Sequence, residues 1–360
     1  MAIISSKHKS NRHLRRPSSV EAGQEPASGP RWQEVLKTAV RDPLELCRLL
    51  DLPETFHAPA IEAAQQFPLF APRGYIARMR PRDPYDPLLR QVLPLAEETA
   101  VVAGFDRDPV ADQAATLSPG LLQKYAGRVL MVTTGRCAVH CRYCFRRHFP
   151  YSAGPRSVDQ WLPALEQIAA DPSLHEVILS GGDPLTLVDG LLAELTERLA
   201  EIPHLRRLRV HTRLPIVIPE RVTDRMLAWL TGSRLAPIMV VHANHPAEID
   251  ASVSKALGRL VDAGIPTLNQ AVLLRGVNDD VDVLAALCER LVDLRVMPYY
   301  LHQLDRVAGA AHFEVPEEAG LRMIEQLRAR LPGYAVPQYV REIAKAASKV
   351  AVVDSFKPAP

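Results

Sequence analysis

Three of the chain's five cysteines, Cys137, Cys141 and Cys144, fall close together in the spacing C-x3-C-x2-C. They sit in the run RCAVHCRYCFRRHF, Arg136 to Phe149, directly after an apolar stretch, Val129 to Thr134, that reads as a buried strand. Thiolates are the ordinary ligands of iron–sulfur clusters, and a four-iron cluster normally takes four of them. Three on a loop leaving a strand end would leave one iron open to an exogenous ligand. Two other readings stand beside this one. Zinc would need a fourth ligand, for which His140 and His148 are at hand, and three buried thiols without a ligand need nothing further.

Other residues able to do chemistry lie at further strand ends. Ser180-Gly181-Gly182-Asp183 follows a second apolar run, and its glycines would let backbone approach a ligand closely, although a tight turn explains them equally well. His211-Thr212-Arg213 ends a third run, and His242-Ala243-Asn244-His245-Pro246 a fourth. Lys124, Tyr125 and Arg128 precede the first strand; cationic and hydroxyl groups there suit a phosphate, but ordinary surface charge accounts for them as well.

The elements that position these residues form a regular alternation. Strand-like runs cover 129–134, 176–180, 207–211, 238–242, 267–274 and 295–301, with amphipathic helical stretches near 157–170, 189–201, 220–231, 248–263, 280–291 and 316–331. Six βα units in sequence predict a parallel sheet with outer helices, an α/β partial (β/α)6 barrel whose site lies at the strand C-termini. We divide the chain into a basic tail expected to be disordered (1–30), a helical N-terminal extension (31–120), the barrel (121–331) and a C-terminal segment (332–360). The proline- and arginine-dense stretch from Phe67 to Pro94 reads as short helices joined by turns.

At 360 residues, 47% hydrophobic and 23% charged, the chain has ample material for a core. A net charge of +2 gives no indication of a nucleic-acid or membrane partner. The basic run Lys7 to Arg16 lacks the apolar region of a secretory signal. Cys47 and Cys288 stand alone in helix-like contexts and read as buried thiols. An odd cysteine count beside a possible cluster points to a reducing, cytoplasmic setting.

C-x3-C-x2-C after a first strand, with Tyr143 before the last cysteine, resembles the radical S-adenosylmethionine (SAM) superfamily. The longer run CRYCFRRHFPY is similar to the lysine 2,3-aminomutase family, and most similar to its short bacterial branch that makes β-lysine for elongation factor P; the similarity runs from about Asp42 to Lys349. The resemblance implies a [4Fe-4S] cluster on the three cysteines and SAM held by Ser180, Gly181, Gly182, Asp183, His242 and Asn244. It implies pyridoxal phosphate (PLP) beside Lys124, Tyr125, Arg128 and Arg213. Lys349, seven residues after Glu342, matches the lysine that forms the PLP Schiff base, although AKAAS replaces the glycine-rich run of longer members. Arg146 matches the family's carboxylate-binding position, and Asp279 and Glu342 its acidic pair for the lysine side chain. Taken alone, Asp279 could equally be a helix N-cap and Glu342 a surface charge. The implied reaction is the isomerisation of L-lysine to β-lysine by 2,3-amino migration. It needs an electron donor, with the product passed to a separate elongation factor P ligase. The same chemistry in lysine catabolism, a radical SAM maturase without PLP, and a zinc-binding protein are the alternatives. The cysteine-bearing zinc tail of longer members has no counterpart after Lys349, so no structural zinc is expected.

Overall fold

The computed structural model describes residues 31–151 and 157–353. The basic tail assigned to 1–30 lies outside them. Ten strands form one sheet in sequence order. Strands β1 (Thr116–Ser118), β2 (Leu121–Tyr125) and β3 (Arg128–Thr134) form an antiparallel meander. From β3 onward the ladder is parallel through β4 (Glu176–Gly181), β5 (Arg207–Thr212), β6 (Ala236–Val241), β7 (Thr267–Val272), β8 (Met297–His302) and β9 (Gln338–Arg341). The short β10 (Val350–Ala351) turns back antiparallel on β9. The six predicted parallel strands are therefore all present, and β9 adds a seventh that periodicity did not reveal.

The strands form where apolar, β-branched residues run together, and β4 is buried along its whole length, as expected of a strand covered on both faces. Outer helices cover the sheet through narrow stripes. Helix Asp189–Glu201 buries Leu192, Leu195, Thr196 and Leu199, a helical repeat on one face. Three of these helices begin at side-chain caps: Thr223 Oγ1 accepts from Met226 N at 3.1 Å, Asp250 Oδ1 from Val253 N at 2.9 Å, and Asp280 Oδ1 from Asp282 N at 2.7 Å. Cys47 and Cys288 are buried within helices Pro43–Leu49 and Val281–Asp293. Among the described residues no helix is long and apolar enough to cross a membrane.

The segment before the sheet is made of short helices, and its Leu46, Leu88, Leu89 and Leu93 are buried in the same core as the barrel. It also grips the cysteine loop. Glu98 accepts from Arg142 Nε at 2.7 Å and Nη2 at 2.6 Å, and from Arg147 Nη2 at 2.8 Å. Both guanidinium groups lie over the Phe67 ring, at 4.7 and 4.6 Å. Arg142 N donates to Gln91 O at 2.9 Å, and His140 N to Phe70 O at 2.9 Å. The Glu98, Arg142 and Arg147 side chains are at most 1% exposed, so this is a charge cluster wholly removed from water.

Removing one partner of such a cluster leaves the other charges buried and uncompensated. Glu98→Ala should lower unfolding stability by about 3–5 kcal/mol, read from denaturant midpoints. A loss under about 1 kcal/mol would show that the clamp does not hold the loop.

Candidate active site

All three clustered cysteines, on the loop after β3, line one cavity of about 800 Å³ that runs inside the sheet from the C-terminal ends of the strands to Arg128 and Glu176, the first residues of β3 and β4. Burial pushes the Cys137 thiol well up and the Cys144 thiol up to about 11. Cys141 Sγ accepts a hydrogen bond from Arg213 Nη1 at 2.8 Å. The Arg213 guanidinium is otherwise committed behind the loop, donating from Nη2 to Gln91 Oε1 at 2.6 Å, Glu248 Oε2 at 2.8 Å and Tyr75 OH at 3.3 Å. Tyr143 stacks on His242, with its hydroxyl 3.1 Å from His242 Nε2, and burial next to Arg213 drives that imidazole down to about 3, leaving it neutral. His140 and His148 are turned to the carbonyls of Pro68 and Ala308, at 2.8 and 3.2 Å. Among the described residues, no three His, Cys, Asp or Glu side chains converge on a single-ion site.

The Ser180–Asp183 turn presses backbone to backbone against this loop. Gly182 N donates to Thr134 O and Asp183 N to Arg136 O, each at 2.7 Å. A Cβ on Gly182 would stand 2.2 Å from Arg136 O, and Gly181 has a φ of +123° with Thr134 O 2.5 Å from its would-be Cβ. These glycines are therefore required by the neighbouring loop, whatever ligand lies beyond. Burial pushes the Asp183 carboxyl up to about 6, although Thr212 Oγ1 and the backbone N–H groups of Arg213, Leu185 and Leu214 all donate to it.

The cavity's other end is closed by the C-terminal segment. Register pairs Leu301 with Tyr339 and His302 with Val340, which carries Glu342 and Lys349 onto the wall. Lys349 Nζ donates to Glu342 Oε2 at 2.6 Å, and Tyr125 OH to Glu342 Oε1 at 2.6 Å. Burial alone would raise the Glu342 carboxyl, but Lys349, Tyr125 and Lys124 outweigh it and hold it below the usual range. Asp305 lines the same end, and burial pushes it up to about 7 even with Lys349 nearby. His211 and His302 are held far below the ordinary imidazole range by burial, aided at His211 by Arg209 and then Lys349 and at His302 by Lys349, so both are neutral. Arg128 packs over the Tyr125 ring at 4.7 Å, lines the cavity and makes no ion pair among the described residues.

The model of the radical SAM superfamily matches residues 131–288. The L-lysine 2,3-aminomutase of Haemophilus influenzae is 44% identical over 87% of this chain and 93% of its own length. The Escherichia coli protein of the same name is 46% identical, over 88% of this chain and 93% of its own. The Clostridium subterminale protein is 34% identical over 91% of this chain and 78% of its own. The chain belongs to the lysine 2,3-aminomutase family. As a radical SAM protein it is built for a four-iron cluster and SAM, and the donor set suits that cluster. The desolvated Cys137 and Cys144 thiols resist ionisation until a metal supplies the counter-charge, and Arg213 already offers a donor to the Cys141 sulfur. The two histidines a zinc reading needs are engaged elsewhere.

Not every residue expected at an aminomutase site reaches the cavity. Ser180 to Asp183, His242, Lys124, Tyr125, Arg128, Arg146, Arg213, Glu342 and Lys349 line it. Asn244 does not: it is fully buried, donating to Tyr143 OH at 2.7 Å and Gln91 Oε1 at 3.0 Å and accepting from Val272 N at 2.9 Å. It positions Tyr143 from behind. Arg213 borders the cysteine end instead of joining Lys124, Tyr125 and Arg128, because Glu248 and Gln91 hold it there. Asp279 is exposed, takes Gly276 N at 2.7 Å to close a turn, and has no place in the cavity wall. The acid beside Glu342 and Lys349 is Asp305, which sequence reading passed over. Its one signal was its position just beyond the end of β8.

Gly182→Ala should force the Arg136 carbonyl away and spread the cysteine loop. Reconstituted protein should then hold clearly less iron and sulfide than wild type while staying folded. Equal iron content would contradict the close packing of the two loops.

Proposed function

We propose that this chain isomerises L-lysine to β-lysine, moving the amino group from carbon 2 to carbon 3 with the help of the cluster, SAM and PLP. The observation that carries the reading is the meeting of Lys349, Glu342 and Asp305 in the same cavity as the three cysteines. When bound, the cluster with SAM supplies a hydrogen-abstracting radical, and PLP supplies a carbonyl carbon able to carry the migrating nitrogen. Lys349 is the amine that would hold PLP. It stands as an ammonium against Glu342, so it must lose a proton to become a nucleophile, and Glu342 Oε2 at 2.6 Å is within reach to take it. Arg128, with Lys124 and Tyr125 beside it, suits the phosphate.

Arg146 would hold the substrate carboxylate from the wall beside Ser180, its Nη1 3.3 Å from Ser180 Oγ. Asp305 and Glu342 would receive the side-chain ammonium, with Asp305 taking the place that Asp279 was expected to fill. Two carboxylates at that end favour a cationic side chain and repel an acidic one. Leu122, Ile178, Ile238, Leu268 and Val272 line the apolar walls, which limits the water that could quench a radical. Supply of β-lysine for elongation factor P modification is the finer role we assign. The support for it is the run CRYCFRRHFPY, which is most similar to the branch that makes β-lysine for that factor.

The test is an anaerobic product assay with iron, sulfide, SAM, PLP, a strong reductant and L-lysine, comparing wild type with Lys349→Ala and Cys141→Ala. β-Lysine from wild type alone is expected. Deoxyadenosine without β-lysine would point to another substrate, and neither product from cluster-loaded protein would remove the reading. A second expectation follows from Asp305, raised to about 7 by burial. Binding an ammonium favours the ionised carboxylate, so lysine should bind more tightly as pH rises through that value. Below it, affinity should fall by about tenfold per pH unit relative to Asp305→Asn. Parallel profiles for the two proteins would exclude Asp305 from the ammonium site.

A further inference from the structure

The segment before the barrel contributes one carboxylate to the cavity wall, Asp112, that the reading above leaves without a role. Its side chain is 2% exposed. Oδ2 accepts from Arg146 Nε at 2.6 Å, and Oδ1 lies 2.7 Å from Lys124 Nζ. The backbone carrying it is fixed as well: Asp112 N donates to Asp108 Oδ1 at 2.8 Å, and Asp112 O accepts from Thr116 Oγ1 at 3.0 Å. Burial opposes the charge on Asp112, but the two cations hold its carboxyl below the usual range, so it stays ionised.

A guanidinium can grip a carboxylate through either of two edges, one including Nε and one made of both Nη atoms. Asp112 occupies Nε of Arg146. Phe145 packs against the plane of the same group at 4.8 Å. The edge left for a ligand is therefore the Nη pair, on the side where Nη1 already meets Ser180 Oγ. Charges then alternate along the wall. Lys124 bridges Asp112 to Glu342, whose Oε1 is 3.6 Å away, and Glu342 holds Lys349.

We infer that Asp112 is a positioning residue that orients Arg146 so that its Nη edge meets the carboxylate of the substrate. The inference rests on the aminomutase reading and deepens it. It makes the N-terminal segment a part of substrate recognition.

The test is equilibrium binding, by anaerobic calorimetry, of L-lysine and of L-lysinamide to protein loaded with cluster, SAM and PLP but given no reductant. Lysinamide keeps the amines and lacks the carboxylate. Asp112→Asn should weaken lysine binding by about tenfold, the scale of one charge-assisted contact, and leave lysinamide binding and iron content at wild-type values. The double variant Asp112→Asn/Arg146→Gln should bind lysine no more weakly than Arg146→Gln alone, because the two residues act as one unit. If Asp112→Asn does not fold, Asp112→Glu keeps the charge and displaces the guanidinium, and the same split between ligands is expected. Equal losses for both ligands, or no loss for lysine, would overturn the inference. Wild type that binds lysine no better than lysinamide, or yields no β-lysine on reduction, would instead remove the aminomutase reading itself.

Discussion

In and behind the cavity wall lie charges largely removed from water, most of them answered by an opposite charge from elsewhere in the chain. Arg213 on β5's exit is answered by Glu248 after β6. Arg142 and Arg147 on the cysteine loop are answered by Glu98, and Arg146 by Asp112. Lys349 at the C-terminal end is answered by Glu342. Isolated ions would cost far more than the fold could spare, so the pairs must assemble together or not at all. The geometry of the site is thus set largely by charge balance between elements distant in sequence, with Lys349 and Glu342 the local exception.

That constraint makes the N-terminal segment a part of the site. Gln91 accepts from Arg213 and Asn244 and donates to Glu248, tying the cysteine end to β5 and β6. Phe67 carries two guanidinium groups on its ring. The barrel provides strand ends in register, but the residues that keep the cysteine loop in one place come largely from before β1.

Much of this was legible in sequence, for identifiable reasons. The cysteine spacing is local and chemically narrow, and six apolar runs alternating with amphipathic stretches leave few topologies open. Lys349 and Glu342 were within reach only through the family resemblance, which supplies the seven-residue spacing between acid and lysine. Asp305 was not, because it follows the apolar strand β8 with nothing nearby in sequence to pair it with Lys349. Asp279 attracted attention as an acid after a strand, yet it closes an exposed turn and is not part of the cavity wall. Arg213 is cationic at a strand end, which fits a phosphate or a thiolate equally, and only the buried Glu248 and Gln91 decide between them. β9 escaped because four residues, two of them buried, make too short an alternation to stand out.

The cavity is completed by the last described stretch of chain. β9 joins the edge of β8, and β10 pairs with β9 through only two residues. During synthesis the cysteine pocket, with Cys137, Arg213 and Glu248, therefore has all its parts while residues 338–349 are still to be made. The wall that carries Lys349 arrives late and is lightly tethered. In chain order, the residues that surround the cysteines thus come before the lysine that closes the far end of the same cavity.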